Sequence, residues 1–133
     1  MSQNAAWQNR AAMLLYALRG AITVERNDAE EILAATEELM RELMTRNALD
    51  ADHLVSCIFT LTEDLDAEFP ALAARRMGLN AVPLMCAREV PVPGSLPRVI
   101  RVLVHCYGDD GHEARHVYLR EARSLRADLE SAQ

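Results

Sequence analysis

The chain contains no apolar run of transmembrane length, no CxxC pair, no internal repeat, no low-complexity linker and no surplus of positive charge. Each absence closes a class. A membrane-spanning helix needs about twenty apolar residues in succession, so no membrane partner is expected. Cys57, Cys86 and Cys106 are odd in number and sit in apolar runs. They fit free thiols in a reducing, cytoplasmic compartment better than a disulfide framework or a zinc ribbon. With 20 acidic against 14 basic residues the net charge is −6, the wrong sign for a general nucleic-acid face. The first ten residues lack the apolar run of a signal peptide. Residues 1–13 read as a flexible extension ahead of one domain over 14–133. No nucleophile triad and no nucleotide-binding glycine loop stands out.

What remains is the composition of an ordinary globular domain. Half of the 133 residues are hydrophobic and 26% are charged. A chain of this length buries roughly two-thirds of its unfolded surface, enough to fold without a metal or a disulfide. In an acidic protein, whose overall field does not favour anions, any local cluster of arginines is of added interest.

Periodicity divides the chain into strands and two helices. Leu14 to Val24 reads as a strand interrupted at Gly20, where a bulge is expected. Asn27 suits a helix N-cap, with Glu30 as its capping-box partner. Ile32, Leu33, Leu39, Met40, Leu43 and Met44 then recur at helical spacing to an end near Asn47. Leu54 to Leu61 is a second strand, and Thr62 to Asp66 a turn. Pro70 opens a short second helix that Gly78 caps. Val82 to Glu89 and Arg98 to Cys106 are further strands, separated by a loop with Pro91, Pro93, Gly94 and Pro97. Val117-Tyr118-Leu119 is a last short element before a polar tail. Strands alternating with helices predict a layered α/β (α+β) fold.

His112-Glu113-Ala114-Arg115-His116 matches HExxH, which on a helix sets two imidazoles on one face for zinc. Gly111 before it and a strand-like Val117-Tyr118-Leu119 after it predict a surface loop instead, so no metal is expected.

Arg101 lies within Val99-Ile100-Arg101-Val102-Leu103-Val104. A guanidinium buried there without a partner would be costly. Alternation puts Ile100, Val102 and Val104 on one face and Val99, Arg101, Leu103 and His105 on the other. The second face suits either solvent or a ligand cavity. Glu89 ends an apolar strand, where it serves as an ordinary strand-end carboxylate, orients a hydroxyl or pairs with Arg101. Arg19 lies beside Gly20, which permits close backbone approach.

Five ordered motifs carry a resemblance: Arg19-Gly20-Ala21-x-Thr23-Val24-Glu25; Asp64-Leu65-x-Ala67-x-Phe69-Pro70-Ala71-x-Ala73-x-Arg75; Pro83-x-x-Cys86-x-x-Glu89; Gly94-x-Leu96-x-x-x-Ile100-Arg101-Val102; and His116-Val117-Tyr118-Leu119. Together, over about Leu18 to Leu129, the chain resembles the AroH-type monofunctional chorismate mutases. The resemblance implies a mixed sheet flanked by helices, in a homotrimer described as a pseudo-α/β barrel, with pockets between subunits. It implies conversion of chorismate to prephenate without a cofactor. It assigns Arg101 to the breaking ether bond, Arg19 and Tyr118 to a carboxylate, and Glu89 with the Cys86 region to the ring hydroxyl. Phe69, Ala71, Leu84 and Leu125 would line the pocket, with Arg75 and Arg126 near its mouth. Leu72 stands where some relatives carry a lysine and Met85 where a threonine is common, departures that bear on peripheral polar contacts and leave the Arg19, Glu89, Arg101 and Tyr118 set in place. A trimeric binding module of the same fold that has lost catalysis is the alternative those two departures leave open.

Overall fold

A computed structural model describes residues 13–126. The expected extension lies outside them except for Met13, which already belongs to the first strand. The elements in chain order are β1 (Met13–Thr23), α1 (Ala29–Arg46), a 3₁₀ turn (Ala51–His53), β2 (Leu54–Leu61), α2 (Pro70–Arg76), β3 (Leu84–Arg88), β4 (Val99–Asp109), β5 (Val117–Leu119) and a second 3₁₀ turn (Arg120–Ala122). Residues 123–126 continue helically, so the start of the expected polar tail is ordered. The strands form one mixed sheet in the order β3-β2-β4-β1-β5. β4 runs antiparallel to both β1 and β2, while β2–β3 and β1–β5 are parallel. No helix among the described residues is long and apolar enough to cross a membrane.

Both helices pack on one face of the sheet and against each other. Ile32, Leu39, Met40 and Leu43 of α1 meet Leu18, Ile22, Phe59, Ile100, Val102 and Val104 of the strands in one buried core. This is the face that β4 alternation predicts.

Two local expectations are corrected. The β1–β4 register runs unbroken from Met13 opposite Asp109 to Thr23 opposite Val99, so Gly20 is not a bulge. A Cβ on Gly20 would lie 2.8 Å from Leu43 Cδ1 and 3.1 Å from both Leu39 Cδ1 and Val102 Cγ1. Glycine is needed there because α1 presses directly on the strand. The irregularity in the sheet falls instead on β2, between Leu54 and Ser56. Likewise the N-cap of α1 is Asp28, whose carboxylate accepts the Glu31 N–H at 3.0 Å. Asn27 is used elsewhere: its Oδ1 accepts the N–H groups of Asp66 and Ala67, tying the turn before α2 to the start of α1.

Candidate active site

Among the described residues, the second face of the sheet carries no helix layer. The C-terminal turn covers only one corner, where Ala122 packs with Ala21 and Val99, flanked by Leu96, Tyr118 and Leu125. Strand register aligns the remaining positions in rows. Tyr118, Ala21, Arg101, Thr60 and Ala87 form one row across all five strands, and Arg19, Leu103, Ile58 and Met85 form the next. Arg19, Arg101 and Tyr118 come from three different strands, yet they line one cavity of about 330 Å³ with Ile58, Thr60 and Leu103. That volume is within the usual range for a small-molecule site.

Arg101 is fixed by a relay. Its Nε donates to both carboxylate oxygens of Glu89, at 3.1 and 3.0 Å. Thr60 Oγ1 donates to the same carboxylate at 2.7 Å, and Glu89 N donates to Leu61 O at 2.9 Å. The Glu89 side chain is only 16% exposed. A carboxylate so enclosed needs paired donors, and it has them. The Arg101 side chain is 39% exposed, and within the described residues its bonds engage only Nε, so the terminal nitrogens are available to an anion. Thr60 escaped the sequence reading. Its signal was its shared parity with Ser56 and Ile58, opposite the core-facing Cys57 and Phe59.

The other residues named from the sequence divide into a second group. Phe69, 67% exposed, lines a separate hollow of about 370 Å³ with Leu61, Leu65, Cys86, Ala87 and Arg88. Ala71 is buried in the core, and Leu84 packs against it. Leu72 is half-buried, while Arg75 on α2 and Arg126 near the C-terminus are exposed. Cys86 pairs in register with Phe59 and packs partly against the core, so its side chain leans to the helix layer. Met85, 62% exposed, is on the open face. In one chain, therefore, Arg101 lines one hollow and Phe69 lines the other.

The HExxH residues do not form a helix: 112–116 are irregular and lead into β5. His112 Nε2 lies 3.1 Å from Asn47 Oδ1, whereas His116 Nδ1 accepts the Arg19 backbone N–H at 3.0 Å. The two imidazoles thus serve different partners. No group of three or more potential metal ligands occurs among the described residues. Burial, reinforced by nearby Cys106, pushes the Cys57 thiol up to about 12, and burial also raises Cys106. Both stay protonated and are unsuited to nucleophilic work.

The family model described as chorismate mutase type I matches residues 15–129. A curated relative, chorismate mutase AroH of Thermus thermophilus, is 56% identical over 118 residues, covering 87% of this chain and 97% of the relative. Chorismate mutase AroH of Bacillus subtilis is 39% identical over 119 residues, covering 88% and 94%. Among solved structures, a chorismate mutase from Clostridium thermocellum superposes with a TM-score of 0.80 at 48% identity, covering 83% of this chain and 99% of that one.

Proposed function

From the premise that the chain belongs to the chorismate mutase type I family, we propose that Arg101, held by Glu89, is the catalytic cation of a site shared between copies of this chain. The chain is a chorismate mutase, an isomerase that converts chorismate to prephenate. The rearrangement is a concerted pericyclic shift. No proton moves in the bond-changing step, so a site without a general base suffices. The substrate is a dianion, which accounts for converging arginines in an acidic protein.

Two physical effects do the work. The walls of the cavity hold the ether side chain over the ring, so that the reacting carbons meet. As the C–O bond lengthens ahead of C–C formation, negative charge grows on the ether oxygen. The Arg101 guanidinium opposes that charge more in the transition state than in the ground state. Arg19 takes a substrate carboxylate, with the Tyr118 hydroxyl beside it. Glu89 and the backbone near Cys86 receive the ring hydroxyl. The observation that carries this reading is the Thr60–Glu89–Arg101 relay, which presents a fixed cation in the cavity that Arg19 and Tyr118 also line.

A shared site accounts for the division between the two hollows. The Arg101 hollow of one copy meets the Phe69 hollow of the next, which brings Phe69, Leu72, Arg75, Leu84 and Cys86 to the same ligand, with Leu125 and Arg126 closing the mouth. A head-to-tail contact of this kind closes as a ring, here a homotrimer with three equivalent sites. Three free cysteines support a reducing, cytoplasmic setting.

The test is conversion of chorismate to prephenate by purified protein with no added metal or cofactor, repeated with Arg101→Lys. Lysine keeps the charge but lacks the planar fork that engages Glu89 and ligand together. Turnover should fall about a hundred- to a thousandfold with the fold intact by circular dichroism. Near-normal turnover of the lysine variant would overturn the role given to Arg101.

A further inference from the structure

β5 is only three residues long, and its ladder with β1 begins at Gly20 opposite Val117. Arg19 precedes that first pair. Its backbone N–H donates to His116 Nδ1 at 3.0 Å, so the imidazole supplies the acceptor that a longer strand would have offered. A backbone amide can only donate, so Nδ1 must carry the lone pair and the ring must be neutral.

The loop that bears His116 is itself anchored. Asn47, at the C-cap of α1 and 2% exposed, accepts the Arg115 N–H at 2.8 Å and donates to the Arg115 carbonyl at 2.9 Å. The same amide donates to Leu43 O and meets His112. The chain is therefore fixed at Arg115 to the helix layer and at His116 to β1. Arg19 and Tyr118 are on the two strands that this anchorage aligns, with Ala21 opposite Tyr118.

We propose that His116 is a positioning residue of this site: its neutral Nδ1 holds the Arg19 backbone, sets Arg19 and Tyr118 in common register for a substrate carboxylate, and gives substrate binding an acid limit that turnover does not share. The inference rests on the reading that Arg19 binds a substrate carboxylate. The charged groups that bear on the ring are Arg19 on β1 and Arg126 in the C-terminal turn, both cations. Partial burial, and after it these two cations, hold its pKa below the ordinary imidazole value. Arg115 precedes the ring and Tyr118 follows it by two residues. A lowered pKa means the folded state binds fewer protons. The neutral ring's contribution is full above the ordinary imidazole pKa and is lost as pH falls through the lowered folded value. The chemical step relies on a guanidinium, a group that does not titrate in this range, and is spared.

The experiment measures kcat and KM for chorismate at about pH 8 and about pH 5, well below the ordinary imidazole pKa while carboxylates remain mostly ionised, in the wild type and in His116→Asn, His116→Leu and Arg19→Ala. Asparagine offers an amide oxygen near the Nδ1 position and does not titrate. Loss of one such hydrogen bond should raise KM about three- to tenfold. The wild type should show that rise at the acid pH with kcat nearly unchanged. His116→Asn should keep the low KM at both pH values, and His116→Leu should have the raised KM at both. An acid rise that persists in His116→Asn overturns the proposal. So does a wild-type KM in His116→Leu when Arg19→Ala has a raised one. A wild-type KM in Arg19→Ala overturns the parent reading of Arg19 instead. If the leucine variant does not fold, the asparagine profile decides alone.

Discussion

The two faces of this sheet are built from the same strands on opposite rules. On the helix side the core closes within the chain: Phe59, Leu18, Ile100 and Val104 are sealed under α1 and α2. On the other side, alternate residues of those strands present Arg19, Arg101, Thr60 and Tyr118 around a cavity, beside exposed apolar groups such as Met85 and Tyr107. The first face supplies stability, and the second supplies charge at fixed positions. The contrast teaches why arginines tolerate such strands: the rigid helix-side packing holds the backbone, so a guanidinium needs only one carboxylate relay to be aimed.

The two phenylalanines of the chain give the sharpest way to break that comparison. Phe59 is fully buried, whereas Phe69 is largely exposed. Phe59→Ala should lose about 3–5 kcal/mol of stability in a denaturant titration, through lost burial and a residual cavity. If it costs less than Phe69→Ala, the assignment of the two faces is wrong. Next in size is Gly20→Ala. The added methyl meets Leu39, Leu43 and Val102 at or inside contact distance. It should cost about 1–3 kcal/mol by overpacking, read as a lower Tm, without moving Arg19 out of the sheet. A stabilised alanine variant would mean that α1 does not press on β1. Smallest is Phe69→Ala measured on the separated chain, where an exposed ring should matter by no more than about 0.5 kcal/mol. Its effect should appear in KM instead, and an unchanged KM would remove Phe69 from the site.

How far the sequence foretold this depended on whether the information was local. Alternation along β4 sorted Ile100, Val102 and Val104 from Arg101, Leu103 and His105 correctly, because parity is a property of one strand. The long helix and Pro70 at the start of the short one were legible for the same reason. The cap of α1 was misread by one residue because Asn27 and Asp28 are both good caps, each with a glutamate three residues on. Only the tertiary bonds of Asn27 to the 66–67 turn decide between them. The Thr60–Glu89–Arg101 relay depends on the registers of β2 with both β3 and β4, and no single segment encodes a register. The role of His116 was hidden by a motif that suggests metal, while its partner is a backbone amide 97 residues away.

The central claim is that the open face is completed by another copy of the chain. It is tested most directly by mixing two damaged proteins. Arg101→Ala removes the cation from one hollow, and Phe69→Ala with Arg75→Ala disables the other. Each preparation alone should be nearly inactive toward chorismate. Unfolded and refolded together, they form mixed assemblies in which some sites receive two intact halves and others two damaged ones. Activity of the mixture should then exceed the sum of the separate preparations. If mixed assemblies are demonstrated by mass and no activity returns, the site lies within one chain and the shared-site account is contradicted.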